Sequence, residues 1–123
     1  MKMNIIREKD IFNLDIENFE LYDCQINNQQ IKCNDYVDLL KYLMEYICDY
    51  KNMNELVNQS NYPSFFETEL YDDNVQCNHF NFDFLQLNKR QMLNEIFELV
   101  HQNQYSLSFI IKNKNNNLQY MLK

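Results

Sequence analysis

From Phe19 onward the apolar positions run Phe19, Leu21 and then Tyr22, Cys24, Ile26, a period of two that predicts a strand with a change of facing near Leu21 and Tyr22, as a bulge would produce. Asn34 is then placed to cap a helix in which Val37, Leu40, Tyr42, Leu43, Met44 and Ile47 recur on one broad face, opposite Asp35, Asp38 and Glu45. Asn52 is placed to cap a second, short helix with Met53, Leu56 and Val57 at helical spacing, ended before Pro63, because the residue before a proline is pushed out of the helical region. Ser64 with Glu67 at the capping-box position predicts a third helix through Phe65, Phe66, Leu70 and Tyr71.

Phe80, Phe82, Phe84 and Gln86 alternate with Asn81, Asp83, Leu85 and Leu87, which predicts a central strand. A helix follows from Asn88 or its neighbour, carrying Met92, Leu93, Ile96, Phe97, Leu99 and Val100, and Tyr105, Leu107, Phe109, Ile110 and Ile111 predict a further strand. Such a strand–helix–strand unit normally crosses over right-handed and makes its strands parallel. At the two ends the pattern is weaker. Residues 1–18 carry Ile5, Ile6, Ile11, Phe12, Leu14 and Ile16 without a clean period and are expected to form a strand or irregular arm over the domain edge. Residues 113–123 form a tail that either adds a hairpin strand through the Asn-rich turn or frays.

A chain of 123 residues with 46% hydrophobic residues, nine Tyr and nine Phe is expected to fold as one domain, residues 1–123, without disulfide or metal staples. It contains no Gly, so positions that need positive φ fall to Asn or Asp, with Asn27–Asn28 and Asn115–Asn117 as the first candidates for tight turns. The formal net charge of −7 disfavours nucleic acid and anionic lipid as partners and favours a basic macromolecule, although acidic surplus also serves solubility alone. Cys24, Cys33, Cys48 and Cys77 show no C-x-x-C pair, and neither a membrane-length apolar run nor a signal-peptide pattern stands in the sequence. Reduced thiols and a cytoplasmic location are expected.

Two segments carry a resemblance. Ile26-Asn27-Asn28-Gln29-Gln30-Ile31-Lys32-Cys33 stands where barstar-like ribonuclease inhibitors have Ile-Asp/Asn-Gly-x-x-Ile-x-Ser before their first helix. Asp49-Tyr50-Lys51-Asn52-Met53-Asn54-Glu55-Leu56-Val57-Asn58 resembles a one-residue-shorter form of that family's Tyr-Tyr-Gly-x-Asn-Leu-Asp-Ala-Leu-Trp-Asp loop, and Phe80 to Lys112 resembles its closing strand, helix and strand. The resemblance implies an α/β fold with a small three-stranded, largely parallel sheet packed by about three to four helices. Residues 19–112 would form this core, residues 1–18 an N-terminal extension and residues 113–123 a tail.

It further implies a toxin-binding surface on the loop and second helix, at Asp49, Tyr50, Asn54, Glu55 and Asn58. The chain departs from the family there. Positions that are aspartates in the family are Asn54 and Asn58, its last-helix acids align with Leu99 and Asn103, and the helix-two tryptophan is Val57. A relocated acidic face of Asp49, Glu55, Asp72 and Asp73 with Tyr50 as anchor is one reading; Tyr50 closing the core among ordinary surface acids is the other.

No catalytic constellation is legible. His79 and His101 pair with no nucleophile and fit surface or helix-end roles, and a chain without glycine builds no phosphate loop of the usual kind. Asp72-Asp73 is the one acidic doublet that suggests a metal, and adjacent acids in a polar loop are usually solvated, so neither metal nor cofactor is expected. The expected function is that of a non-enzymatic immunity protein that occludes the cationic active site of a nuclease toxin. The alternative is an acidic phage or mobile-element inhibitor that imitates nucleic acid and occupies a host defence or DNA-binding protein, and a third is a regulatory subunit of an unrelated complex.

Overall fold

A computed structural model of the chain describes residues 3–50 and 87–122, with residues 48–50 described by their backbone alone. The elements run β1 (Asn4–Ile6), α1 (Glu8–Ile11), a 3-10 turn (Ile16–Asn18), β2 (Phe19–Ile26), β3 (Gln29–Ile31), α2 (Tyr36–Tyr50), α3 (Lys89–Gln102), β4 (Leu107–Asn113) and β5 (Gln119–Leu122). The strands form one sheet in the order β1-β5-β4-β2-β3. Only β1 and β5 pair in parallel; β2/β3, β2/β4 and β4/β5 are antiparallel.

This corrects the expected three-stranded, largely parallel sheet packed by three to four helices: among the described residues the sheet has five strands, is mixed and is mostly antiparallel. The physical reason lies in the connections. Two residues join β2 to β3 and residues 114–118 join β4 to β5, and such links permit only antiparallel neighbours, because a parallel pair needs a crossover of a dozen or more residues. The strand expected at Phe80–Gln86 and the helices expected from Asn52 and Ser64 lie outside the described residues.

Both ends of the chain contribute strands to this sheet. β1 adds to β5 with Asn4 opposite Tyr120 and Ile6 opposite Leu122, while Ile6, Ile11 and Ile16 from the same arm join the central core. The polar turn before β5 is organised by side chains in place of glycine. The Asn113 Oδ1 accepts from the N–H groups of Asn115 and Asn116, Asn116 Oδ1 accepts from Leu118 N–H, and Asn117 takes φ 61°.

β2 buries Phe19, Leu21, Cys24 and Ile26. Its alternation slips once, between Tyr22 and Gln25, where Asp23 takes φ 48°. The bulge therefore sits one residue beyond the expected change of facing, and Tyr22 stays 42% exposed on the outer face. The two-residue turn to β3 places Asn27 at φ 52° and Asn28 at φ 65°, the two left-handed positions of a type I′ hairpin that match the twist of its strands.

Asp35, rather than Asn34, caps α2: its Oδ1 accepts from Asp38 N–H at 2.8 Å, and the Asp38 carboxylate reaches back to Asn34 N–H at 3.1 Å. Tyr36, Leu39, Leu40, Leu43, Met44 and Ile47 follow at i, i+3, i+4, i+7, i+8 and i+11 and are fully buried, whereas Val37 and Tyr42, expected on that stripe, are half-buried at its margins. α3 opens with a complete capping box between Asn88 and Gln91 and lays Met92, Leu93, Ile96, Phe97, Leu99 and Val100 against α2 and the sheet. Glu95 is buried in the same stripe. Its C-terminus is a Schellman turn, with Tyr105 N–H donating to Val100 O, Gln104 N–H donating to His101 O, and Gln104 at φ 58°. Here glutamine, not asparagine or aspartate, fills the left-handed position.

Helices and inner strand faces thus share one apolar cluster, which holds residues from every strand. Buried Tyr36 ties the layers by donating its hydroxyl to Phe19 O at 3.3 Å, and burial holds that phenol's pKa well above its ordinary value. The opposite sheet face keeps no fully buried side chain among the described residues.

Candidate groove on the open sheet face

The outer side chains of β2, β3 and β4 follow directly from the strand period of two. Because Phe19, Leu21, Cys24 and Ile26 face the core, Glu20, Tyr22 and Gln25 face away, joined by Gln30 on β3 and by Ser108 and Ile110 on β4. The bulge turns Asp23 outward as well. Of these groups Asp23, Gln25, Gln30 and Ser108 line a groove of about 670 Å³, joined by Ser106, with Ile110 and Met121 as its apolar floor.

The groove wall is held by the hairpin turn. Asn27 N–H donates to Ser106 O at 2.9 Å while Asn27 Oδ1 accepts from Ser106 N–H at 3.0 Å, so a single residue closes both hydrogen bonds to the start of β4. Its Nδ2 donates to the Tyr46 hydroxyl at 3.2 Å, which links the turn to α2. Tyr46 in turn packs edge-on against Tyr105 at 5.1 Å and stacks with Tyr42 at 6.3 Å. The rim of the groove is therefore braced from the helical layer.

Electrostatically the face is acidic along β2. The Tyr22 hydroxyl donates to Glu20 Oε2 at 3.1 Å, and that bond to a carboxylate raises the phenol's pKa. Lys112 stands opposite Glu20 in the β2/β4 register, two pairs away from the bulge. The described lining of the groove carries one carboxylate, Asp23, and neither Lys nor Arg. Carboxylate, amide and hydroxyl groups around an apolar floor make a surface that accepts and donates hydrogen bonds and attracts a cation; the described lining has no imidazole or thiol for general-base or nucleophilic chemistry.

Two of the residues expected to bind a partner lie within the described residues. Asp49 and Tyr50 form the last turn of the α2 backbone, which continues through the point where a loop was expected; Asn54, Glu55, Asn58, Asp72 and Asp73 lie outside the described residues. The two positions aligned with the family's last-helix acids serve the fold: Leu99 is fully buried, and Asn103 is the C-cap of α3, donating to Leu99 O at 2.7 Å. His101 contacts Glu8 (Nε2 to Oε1, 2.6 Å) and clips α1 to the end of α3, while His79 is outside the described residues.

Two cations that the acidic balance makes scarce are committed to main chain. Lys89 Nζ donates to Glu17 O and Phe19 O, and Arg90 donates to Phe12 O at 2.8 Å while lying 5.0 Å from the Phe12 ring centroid. Among the described residues no cluster of three or more His, Cys, Asp or Glu side chains is placed to hold a metal ion, and no helix is long and apolar enough to cross a membrane. Sequence reasoning did not single out Asp23, Gln25, Gln30, Ser106 or Ser108, yet the polar half of the β2 alternation was the available signal. In comparisons with known proteins, no family model, no curated protein and no solved structure matches this chain.

Proposed function

We propose that the protein is a non-catalytic binding domain of the cytoplasm that presents the open face of its sheet to a basic protein, as an immunity protein does when it occludes the cationic active site of a nuclease toxin. The observation that carries this reading is the groove of about 670 Å³ beside Asp23, whose described lining offers a carboxylate, amides and hydroxyls over Ile110 and Met121 and no Lys or Arg. A net charge of −7 supports it, because long-range attraction to a cationic partner speeds encounter and depends on salt. The family resemblance suggests the nuclease toxin as the basic partner, while the largely parallel sheet it implied differs from the one observed.

Co-expression with the product of an adjacent toxin gene, followed by affinity measurement and a nuclease protection assay, tests it. Asp23→Lys together with Gln25→Lys is expected to weaken binding at least tenfold, a loss of about 1.4 kcal/mol or more, and to flatten its salt dependence. Asp49→Lys with Glu55→Lys tests the surface implied by the resemblance in the same assay. Full affinity and full protection by the Asp23→Lys/Gln25→Lys protein would remove the groove from the interface.

A further inference from the structure

Two thiols meet at the base of the same hairpin. Cys24 pairs with Ile31 across β2/β3, so Cys33, two residues beyond Ile31 and just past the end of β3, is its diagonal neighbour on the core side. Both cysteines are free; Cys24 is fully buried, whereas Cys33 is partly accessible. Each thiol shifts the pKa of the other, as neighbouring sulfurs do. Diagonal neighbours in a regular sheet stand about 7–8 Å apart, beyond the roughly 4.4–6.8 Å that a disulfide spans, so the bond needs a backbone shift, for which Cys33, outside the β2/β3 ladder, is the free end.

The two sulfurs are electronically unequal. The neighbouring Cys24 thiol lowers the Cys33 pKa, against burial and against the nearby carboxylates of Asp38 and Asp35. Cys33, followed by burial, raises that of Cys24. An accessible sulfur of greater thiolate character beside a sheltered one has the division of labour of an attacking and a resolving thiol. Asp35 and Asp38 also select against an anionic reagent at this place.

We propose that Cys33 and Cys24 form a thiol–disulfide exchange site for uncharged or cationic small-molecule disulfides, with Cys33 as the attacking and Cys24 as the resolving sulfur. In the first step the Cys33 thiolate bonds to one sulfur of the reagent, whose S–S bond breaks, and the departing thiolate takes up a proton. In the second, Cys24 gives its proton to solvent and bonds to Cys33 Sγ, which releases the second reagent thiolate to be protonated. The protein dithiol is oxidised by two electrons and the reagent is reduced to two thiols. The new bond closes the hairpin that carries Gln25, Asn28 and Gln30 into the groove.

The experiment treats the native full chain with hydroxyethyl disulfide, quenches with acid and maps the peptides by mass. The expected product joins Cys24 to Cys33, is lighter than the reduced protein by two hydrogens and unfolds at a higher temperature, because a covalent link restricts the unfolded chain. Cys24→Ser is expected to arrest at a stable hydroxyethyl adduct on Cys33, and Cys33→Ser to leave Cys24 unmodified. The proposal is overturned if the unaltered chain keeps the adduct on Cys33 with Cys24 reduced, if Cys33 pairs with Cys48 or Cys77 instead, or if Cys33 stays unmodified. Since the unaltered chain alone decides among these products, misfolding of a variant does not protect the idea.

Discussion

Replacing Gln104 by glycine is expected to stabilise the protein, an unusual direction for a substitution at a helix end. Gln104 occupies the residue after the C-cap of α3 at φ 58°, exposed, while Asn103 holds φ −100° and ψ 0°. The left-handed region costs a residue bearing a Cβ about 1–2 kcal/mol, from the clash of Cβ with the following carbonyl. Glycine removes that clash but surrenders about 0.5–1 kcal/mol in the extra freedom of its unfolded chain. Both Schellman bonds are made by main chain, Tyr105 N–H to Val100 O and Gln104 N–H to His101 O, so both survive the change. The net gain is about 0.5–1 kcal/mol, or roughly 2–4 °C in Tm for a chain of this size.

Urea unfolding at 25 °C measures it as a shift in midpoint with an unchanged slope. Asn27→Gly supplies the contrast. It sits at nearly the same φ, 52°, but its side chain accepts from Ser106 N–H and donates to Tyr46, so the loss of those bonds outweighs a strain that asparagine already tolerates, for a destabilisation of about 1–2 kcal/mol. A neutral or destabilising Gln104→Gly, or a stabilising Asn27→Gly, would refute the assignment of strain and hydrogen bonding at these positions.

Asp35→Ala is expected to cost about 1 kcal/mol in chemical denaturation and Asn34→Ala markedly less, because the Asp35 side chain accepts from Asp38 N–H whereas Asn34 contributes only its own N–H. Leu93→Ala, in a fully buried site between α3 and the core, should lose about 2–5 kcal/mol, while Ile5→Ser, at 69% exposure, should change stability by less than about 0.5 kcal/mol; equal losses would mean that the two layers are wrongly assigned. Glu8→Gln removes an exposed pair with His101 and should lower the unfolding free energy measured in urea by no more than about 1 kcal/mol, a difference that shrinks further in high salt.

Local features were legible to different degrees. Asn27–Asn28 could be read as a turn because a glycine-free chain has few residues that tolerate positive φ, and both adopt it. The same logic passed over Gln104, since a Schellman end is defined by where the helix stops, and the stop after Gln102 has no distinctive residue. The bulge in β2 was placed one residue early because Tyr22 counts as apolar in a pattern, yet its hydroxyl reaches Glu20 at the surface. Strand direction was beyond the pattern altogether: the alternation in Leu107–Asn113 is the same in a parallel or an antiparallel ladder, and only the five-residue link to Gln119 decides. The groove was less legible still. Asp23 and Ser108 are separated by most of the chain and meet through sheet register, which no short motif encodes.

The pairing of Asn4–Ile6 with Tyr120–Leu122 sets a timetable for biosynthesis. β1 is made well before its partner β5, so Ile6 lacks its Leu122 neighbour until the residues between them have been added. Ribosome-bound nascent chains shortened before Gln119 would consequently offer a free β4 border to chaperones, and the addition of β5 would cover it while giving β1 an edge to join.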